Sequence, residues 1–466
     1  MANDNLIQAT ALRAPSYPSN CLHFLKDFHS ENNTLSATKT CLDIIVVGAG
    51  LGGLATAIAL STSGHNVTIF EQTPELGEVG AGIQVPPNST RLLLKLGLGP
   101  YLEKQVTEPE AISFRRWETG KTIGHTKLIP EFRQTFKAPY YVIHRADLHS
   151  AMYKRALDVG VTIKLAAKII DYNPQRPSIH LEDGSSYEAD LVVAADGIKS
   201  VARGILHSDI EKPLERPGFA AYRATVDVER MKSDPDMSWL LEKPSLNIWI
   251  GEKRHVMTYT IGAGKAFNMV LSHPDDTDPS TWDQSTALRD MRAEFRGWDP
   301  RLTKIIGLIT NTIKWPLLSG APLSRWASGK TVLLGDAAHA MLPYMSEGAA
   351  MAVEDGVALA RALSKIKSRA EIPNALLVFE KVRIERTSQM QEASLLNGQL
   401  WHFSDGPLQR ARDAAMEPET KGLPFAHSPN QWSDPATQMW CYGYDTEHEI
   451  DKAFDNYGDL HVRGSL

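Results

Sequence analysis

The stretch from Asp43 to Glu71 constrains the fold more than any other part of the chain. Ile44 to Val47 is a short, unbroken β-branched run, the pattern of a strand buried on both faces of a parallel sheet. Gly48, Gly50 and Gly53 follow with G-x-G-x-x-G spacing, then Leu54 and Ile58, with Ala55 and Ala59 beside them, at helical spacing. Gly64 stops that helix, Val67 to Phe70 reads as a second strand, and Glu71 closes the unit. Gly48 permits the tight turn, Gly50 lets backbone approach a pyrophosphate, and Gly53 lets the helix pack closely on the sheet. The helix N-terminus offers unpaired N–H groups to phosphates, and Glu71 is placed to accept hydrogen bonds from ribose hydroxyls. The stretch therefore predicts a dinucleotide site. FAD and NAD both satisfy it, and a glycine-rich turn that only packs a helix on a sheet is the competing account.

A chain of 466 residues has room for two or three domains. Its net charge of −6 and pI near 6.2, with no basic stripe, argue against a nucleic-acid partner. No apolar run reaches the length that spans a bilayer, so no membrane association is expected. Cys21, Cys41 and Cys441 are few and widely spaced, which points to a reducing compartment, hence a cytoplasmic location, and to no thiolate metal site. The histidines are scattered, and no metal is expected. Residues 1 to about 40 read as a loosely ordered extension without the features of a signal peptide.

Further along, Gly77, Gly80 and Gly82 fall within six residues, so backbone there can approach a ligand or another segment closely. Asn88 reads as the N-cap of a helix carrying Leu92, Leu93 and Leu96. Phe114 to Ile123 resembles a strand pair turning at Glu118-Thr119-Gly120. Tyr141 to His144 is a strand ending at Arg145, a cation that either reaches a phosphate or forms a surface salt bridge. Val161–Leu165, Ser178–Leu181 and Tyr187–Ala195 read as strands, the last running into Asp196-Gly197, a sharp-turn signal. Thr331 to Leu334 is another buried-type strand; it ends in Gly335-Asp336 and leads to a helix that opens at Gly348-Ala349. Helical pattern continues to about Phe403. Trp432 and Trp440 lie in a mixed tail, and the acidic run Asp445 to Asp451 reads as a solvated surface.

Between Gly218 and Ser272 the character changes to short strands with tight turns, read as an antiparallel meander inserted into the first domain. By alternation, Phe219, Ala221, Arg223 and Thr225 share one face, and Met257, Tyr259 and Ile261 share another. Buried arginine is rare unless paired. Arg223 and Tyr259 among apolar neighbours either line a cavity for a small anionic or phenolic ligand or form an internal ion pair and a core tyrosine.

Together these motifs resemble the single-component FAD-dependent aromatic monooxygenases, most closely the salicylate-hydroxylase-like branch found in fungal pathways, over about residues 41 to 415. Gly48, Gly50, Gly53 and Glu71 match the first FAD fingerprint. Ala195-Asp196-Gly197, with Ser200 and Arg203, matches the family's Asp-Gly motif. Gly335-Asp336-Ala337-Ala338-His339, with Pro343 and Gly348-Ala349, matches its Gly-Asp motif, and Arg145 matches the arginine that reaches the flavin nucleotide. The resemblance implies an α/β fold: a Rossmann-like FAD-binding domain of the FAD/NAD(P)-linked reductase type (41–112, 140–215 and 313–375). An inserted antiparallel β-sheet substrate domain (113–139 and 216–312) and a C-terminal helical region and tail (376–466) complete it.

The chemistry implied is insertion of one oxygen atom from O2 into an electron-rich aromatic ring through a flavin hydroperoxide, with NADPH or NADH as co-substrate. The cofactor would be held by Gly48, Gly50, Gly53, Glu71, Gly82, Arg145, Asp196, Gly197, Asp336, Pro343, Gly348 and Ala349. Arg223 and Tyr259 match residues that hold the substrate phenolate in similar fungal enzymes. His255, His339 and His402 are read as structural, and no general base is expected. Many relatives have Gln where this chain has Glu347, so a carboxyl is added near the flavin. Two other readings stand beside this one: an indole 2,3-epoxidase acting on an alkaloid, and a non-catalytic escort protein on the same nucleotide fold. A homo-oligomer is compatible with all three.

Overall fold

The computed structural model describes residues 35, 37–77, 81–208 and 214–463, with side chains described to 456. The N-terminal extension to residue 34 and the Glu78-Val79-Gly80 part of the glycine-rich loop lie outside the described residues. A six-stranded sheet runs in the order Ala327–Ser328, Thr331–Leu333, Leu191–Ala194, Asp43–Val47, Asn66–Phe70, Thr162–Lys164. Every pairing in it is parallel except that of the short edge strand Ala327–Ser328. Asp43–Val47 is buried at four of its five positions, as a β-branched run between two parallel neighbours must be.

Helix Leu51–Thr62 is apolar all round and buried without a break from Gly53 to Leu60, which suits a helix enclosed on every side. Helix Gly348–Leu363 crosses it. A Cβ added at Gly52 would lie 3.0 Å from the Ala352 Cβ, and one at Gly356 would lie 2.8 Å from the Thr56 backbone. Small residues on both helices thus allow close contact, and this contact carries the start of helix Gly348–Leu363 toward the Gly48–Gly53 turn.

The second large sheet has seven strands in the order Ile313–Pro316, Phe219–Asp227, Ala266–Pro274, Arg254–Ile261, Ser245–Gly251, Ala111–Arg116, Thr122–Lys127. Ser245–Gly251, Arg254–Ile261 and Ala266–Pro274 form a meander as expected, but Phe219–Asp227 pairs with Ala266–Pro274, the last of them. Ser245–Gly251 runs parallel to Ala111–Arg116, which stitches the earlier strand pair into the same sheet. The strand pair turns at Gly120, whose φ is +64°.

Three further expectations are corrected. The single strand expected over Tyr187–Ala195 is two: Ser186–Glu188 edges a small three-stranded sheet with Ser178–Leu181 and Ile169–Asn173, while Leu191–Ala194 enters the six-stranded sheet. Asp190 sits between them, its carboxylate accepting from the Asp43 N–H at 3.0 Å. Asn88 is not an N-cap; helix Pro87–Lys95 starts after Pro86, and Asn88 is buried inside its first turn. The acidic run 445–451 is not a solvated surface. Thr446 and Ile450 are buried, and Asp451 pairs with Arg361 and Lys365 at 2.6 Å each. The tail forms helices Pro407–Lys421, Pro435–Tyr442 and Thr446–Arg463. Trp432 is fully enclosed, a burial that stabilises by about 1.5–3 kcal/mol for a large apolar side chain.

Candidate active site

The dinucleotide turn is tight where tightness was expected and open on one side. Gly48 has φ +100°, and a Cβ there would fall 2.3 Å from the Ala195 carbonyl oxygen; a Cβ at Gly53 would fall 2.0 Å from that of Gly48. At Gly50 a Cβ would meet nothing within 4 Å, so this is the side from which a phosphate can approach the helix N-terminus. Glu71 braces the turn as well as facing it: one carboxylate oxygen accepts from the Ala49 N–H at 2.7 Å and the other from the Thr73 N–H at 2.9 Å. His149, which sequence reasoning missed, reaches the Ala49 carbonyl at 2.7 Å.

The Asp-Gly loop follows strand Leu191–Ala194. One oxygen of Asp196 accepts from the Val201 and Ala202 N–H groups and from the Tyr172 hydroxyl, all at 3.0–3.1 Å. Its other oxygen is buried without a hydrogen-bond partner among the described residues. Burial, and next Asp196 itself, push the Tyr172 hydroxyl well above its usual pKa, so it stays a donor. Gly197 turns with φ +76°.

The Gly-Asp loop is locked to this one by Arg203. Its guanidinium donates to the carbonyls of Asp336 at 3.0 Å and Ala337 at 3.1 Å, and also to that of Ile198. Gly335, at φ +63°, donates its N–H to Asp355 at 3.1 Å, and the Asp336 side chain is left exposed. Pro343 is exposed at the start of a short turn whose Tyr344 and Met345 are buried, and Gly348 and Ala349 are half-buried at the start of their helix. Contacts therefore bring the Gly48, Asp196 and Gly335 turns together. Arg145 begins its helix beside them, its N–H donating to the Ala81 carbonyl at 3.2 Å.

Strand Gly82–Val85 lies between these turns and the seven-stranded sheet. The Gly82 N–H donates to the Asn268 side chain at 2.6 Å, and a Cβ at Gly82 would fall 2.4 Å from the Tyr259 ring. Gly82 is thus obligatory for a close approach to Tyr259. Gln84 holds the same junction, donating to the Met257 sulfur at 3.0 Å and the Ser346 hydroxyl at 2.8 Å while accepting from the Tyr140 hydroxyl at 2.5 Å.

In the sheet, Arg223 lies opposite Val270, itself opposite Met257, while Asn268 lies between Thr225 and Tyr259. Side chains alternate along strands, so the two faces inferred from sequence are one face, shared by Arg223 and Tyr259. Tyr259 is buried, and burial pushes its hydroxyl up while Arg223 pulls it down. Solvent reaches Arg223, yet the surrounding protein lowers its pKa, chiefly by burial, with Tyr259 opposing and Arg145 adding to the shift. No carboxylate pairs with Arg223 among the described residues, so the internal ion pair considered from sequence is not formed there. At one end of this face His402 stacks on Phe219 and His255, with ring centroids 5.3 and 5.2 Å apart, and Tyr344 stands edge-on to it. His255 and His402 share a 2.9 Å hydrogen bond. An open depression of about 350 Å³ lined by Thr107, Lys232 and Thr260 lies apart from these turns and gathers no cluster of reactive groups.

Comparison with known proteins agrees with this geometry. The family described as FAD binding domain matches residues 41–394. FAD-dependent monooxygenase OpS4 of Beauveria bassiana is 35% identical over 419 residues, 89% of this chain and 98% of its own. The 3-hydroxybenzoate 6-hydroxylase 1 of Aquipseudomonas alcaligenes is 32% identical over 413 residues, 87% and 98% respectively. Among solved structures, a salicylate hydroxylase substrate complex superposes with TM-score 0.72 at 26% identity, covering 89% of this chain and 98% of that one. Klebsiella pneumoniae HpxO complexed with FAD and uric acid superposes with TM-score 0.71 at 25% identity, covering 81% and 92%. The open side of Gly50, the buried unpartnered oxygen of Asp196 and the exposed Asp336 are the features a dinucleotide cofactor needs. The chain belongs to the single-component FAD-dependent aromatic monooxygenases.

Proposed function

We propose that this monooxygenase hydroxylates a small phenolic acid of the hydroxybenzoate class, with NADPH or NADH as co-substrate. The observation that carries this reading is Arg223, a cation without a carboxylate partner among the described residues, on the same sheet face as Tyr259. Relatives named for 3-hydroxybenzoate and 3-amino-4-hydroxybenzoate add support. The dependence on a nicotinamide goes with the cytoplasmic placement expected from the sequence.

When bound and reduced by the nicotinamide, FAD would supply the activation of O2, one atom of which goes to the substrate and the other to water. The chain's part is to bind, orient and shield. Gly48, Gly50, Gly53, Glu71, Arg145, Asp196, Gly197 and Asp336 would hold the dinucleotide, and Gly82, Pro343, Gly348 and Ala349 would border its ring system. Arg223 stabilises the ionised phenol, which makes the ring carbon a better nucleophile. Tyr259 donates to the same oxygen, its hydroxyl kept protonated by burial. The aromatic wall of Phe219, His402 and Tyr344 excludes water from the ring's surroundings.

Arg223→Ala should stay yellow with FAD yet lose about 10²–10³-fold in kcat/KM, the usual cost of removing one charge-stabilising donor. Substrate-stimulated NAD(P)H oxidation and product mass, with salicylate and 3-hydroxybenzoate as probes, measure this. Hydroxylation by the variant at the parent rate would remove Arg223 from the site.

A further inference from the structure

Helix Gly348–Leu363 begins directly after Glu347, which is 1% exposed. One Glu347 oxygen accepts from the Asn88 amide at 2.9 Å and the other from the Cys441 thiol at 3.2 Å. One helical stretch further on, Glu354 and Asp355 hold the guanidinium of Arg383 at 2.8 and 2.7 Å, and Glu354 holds that of Arg386 at 3.2 Å. His339 also reaches Asp355 at 2.6 Å. Two carboxylates thus match two guanidiniums. Glu347 is left over, with an amide and a thiol as partners and no salt bridge among the described residues.

The other groups around it are accounted for. Tyr140 and Tyr442 face it with neutral hydroxyls, each pushed well above its usual pKa, first by burial. Arg91, from the helix that carries Asn88, points its guanidinium at the carbonyls of Phe136, Tyr442 and Tyr444. Burial pushes the Glu347 carboxyl up to about 8; Glu354 adds to the rise, while Asn88, Arg386 and Cys441 oppose it. The Cys441 thiol is itself pushed well up, so it stays protonated. The Glu347–Cys441 contact serves both states of the acid: the thiol donates to the carboxylate, and the sulfur accepts from the neutral carboxyl.

We propose that Glu347 is a positioning residue that couples proton binding to flavin reduction. With the carboxyl neutral, the helix start favours electrons on FAD; with it ionised, its charge opposes them, and reducing that form draws one proton from solvent onto Glu347. The two electrons arrive as hydride from the nicotinamide, which is oxidised. The extra proton comes from water and returns to it when O2 reoxidises the cofactor. This rests on the reading that Gly348 and Ala349 border the flavin.

The test is the midpoint potential of bound FAD, measured by spectroelectrochemical titration of the holoenzyme from roughly pH 6 to 10. Wild type and Glu347→Gln should coincide at the acid end and part above about pH 8, with wild type becoming harder to reduce. Cys441→Ala removes a donor to the ionised form, so its departure should begin at higher pH than in wild type. This second variant decides the matter if Glu347→Gln fails to hold FAD. Parallel curves for wild type and Glu347→Gln, or a Cys441→Ala curve that coincides with wild type, would overturn the coupling. A colourless wild-type protein would overturn the flavin reading itself, and the coupling with it.

Discussion

The two faces of the seven-stranded sheet are built from alternate residues of the same strands, and they differ in kind. One face carries Tyr222, Ala224, Val226, Trp249, Val256, Phe267, Met269 and Leu271 against helices Ala287–Glu294 and Pro300–Leu308. Polar groups on this face include the Trp249 indole N–H, which donates to Asp299 at 3.0 Å, and Asn247, whose amide oxygen accepts from Arg115 at 2.8 Å. The other face carries Arg223, Asn268 and Tyr259 among Met257, Ile248 and Leu246, and it meets strand Gly82–Val85 through Gly82 and Gln84. A period of two thus lets one strand supply a dry core with one residue and a reactive surface with the next. The packed face fixes the backbone from which Arg223 and Tyr259 project.

The division can be broken most forcefully at Trp249. Trp249→Ala should cost about 3–5 kcal/mol of stability in denaturant unfolding, whereas Arg223→Ala on the opposite face should stay within about 1 kcal/mol of the parent. Equal losses would show that the faces do not divide the work. Gly82→Ala comes next. Its methyl must displace the Tyr259 ring, an overpacking strain of about 1–3 kcal/mol, and turnover should fall with stability. Tyr259→Phe sharpens the contrast by removing a single donor worth about 0.5–1.5 kcal/mol. It should lower kcat/KM by no more than about tenfold and leave FAD retention unchanged.

The smallest effect at neutral pH belongs to the histidine pair. Burial holds His402 down to about 3 and His255 well below its usual value of 6.5. The unfolded chain therefore binds protons that the folded chain does not. The contribution of the neutral pair is fully present above pH 6.5 and is lost as pH falls from there toward 3. Unfolding midpoints should drop across that interval, and His402→Gln should flatten the profile while barely changing it on the alkaline side.

What was legible in the sequence was what neighbours decide. Gly48 and Gly197 announce their turns because the positive φ each adopts is a local requirement, and the alternation of Arg223 with its apolar neighbours is a property of one strand. What was hidden depends on distant partners. Asn88 looked like a cap because nothing nearby shows that Glu347 and Glu354, more than 250 residues away, take its amide protons. The break between Ser186–Glu188 and Leu191–Ala194 carries no proline or glycine; pairing of the two halves with different sheets creates it. The acids from Asp445 to Asp451 looked solvated because Lys95, Arg361 and Lys365, their partners, come from other helices. Gln84, Asn268 and His149 were missed for the same reason: a lone polar residue in an apolar strand or helix gives no sign of what it will meet.

Arg386 donates to the main-chain carbonyls of Trp440 and Cys441 at 2.8 Å each. Every amino acid supplies such a carbonyl, so substitutions at those two positions leave that anchorage in place, while deletion of the segment would not. Descendants of this protein are free to vary the lettering there, but a clipped version would take two acceptors from the interior guanidinium of Arg386 and leave Glu354 to hold it.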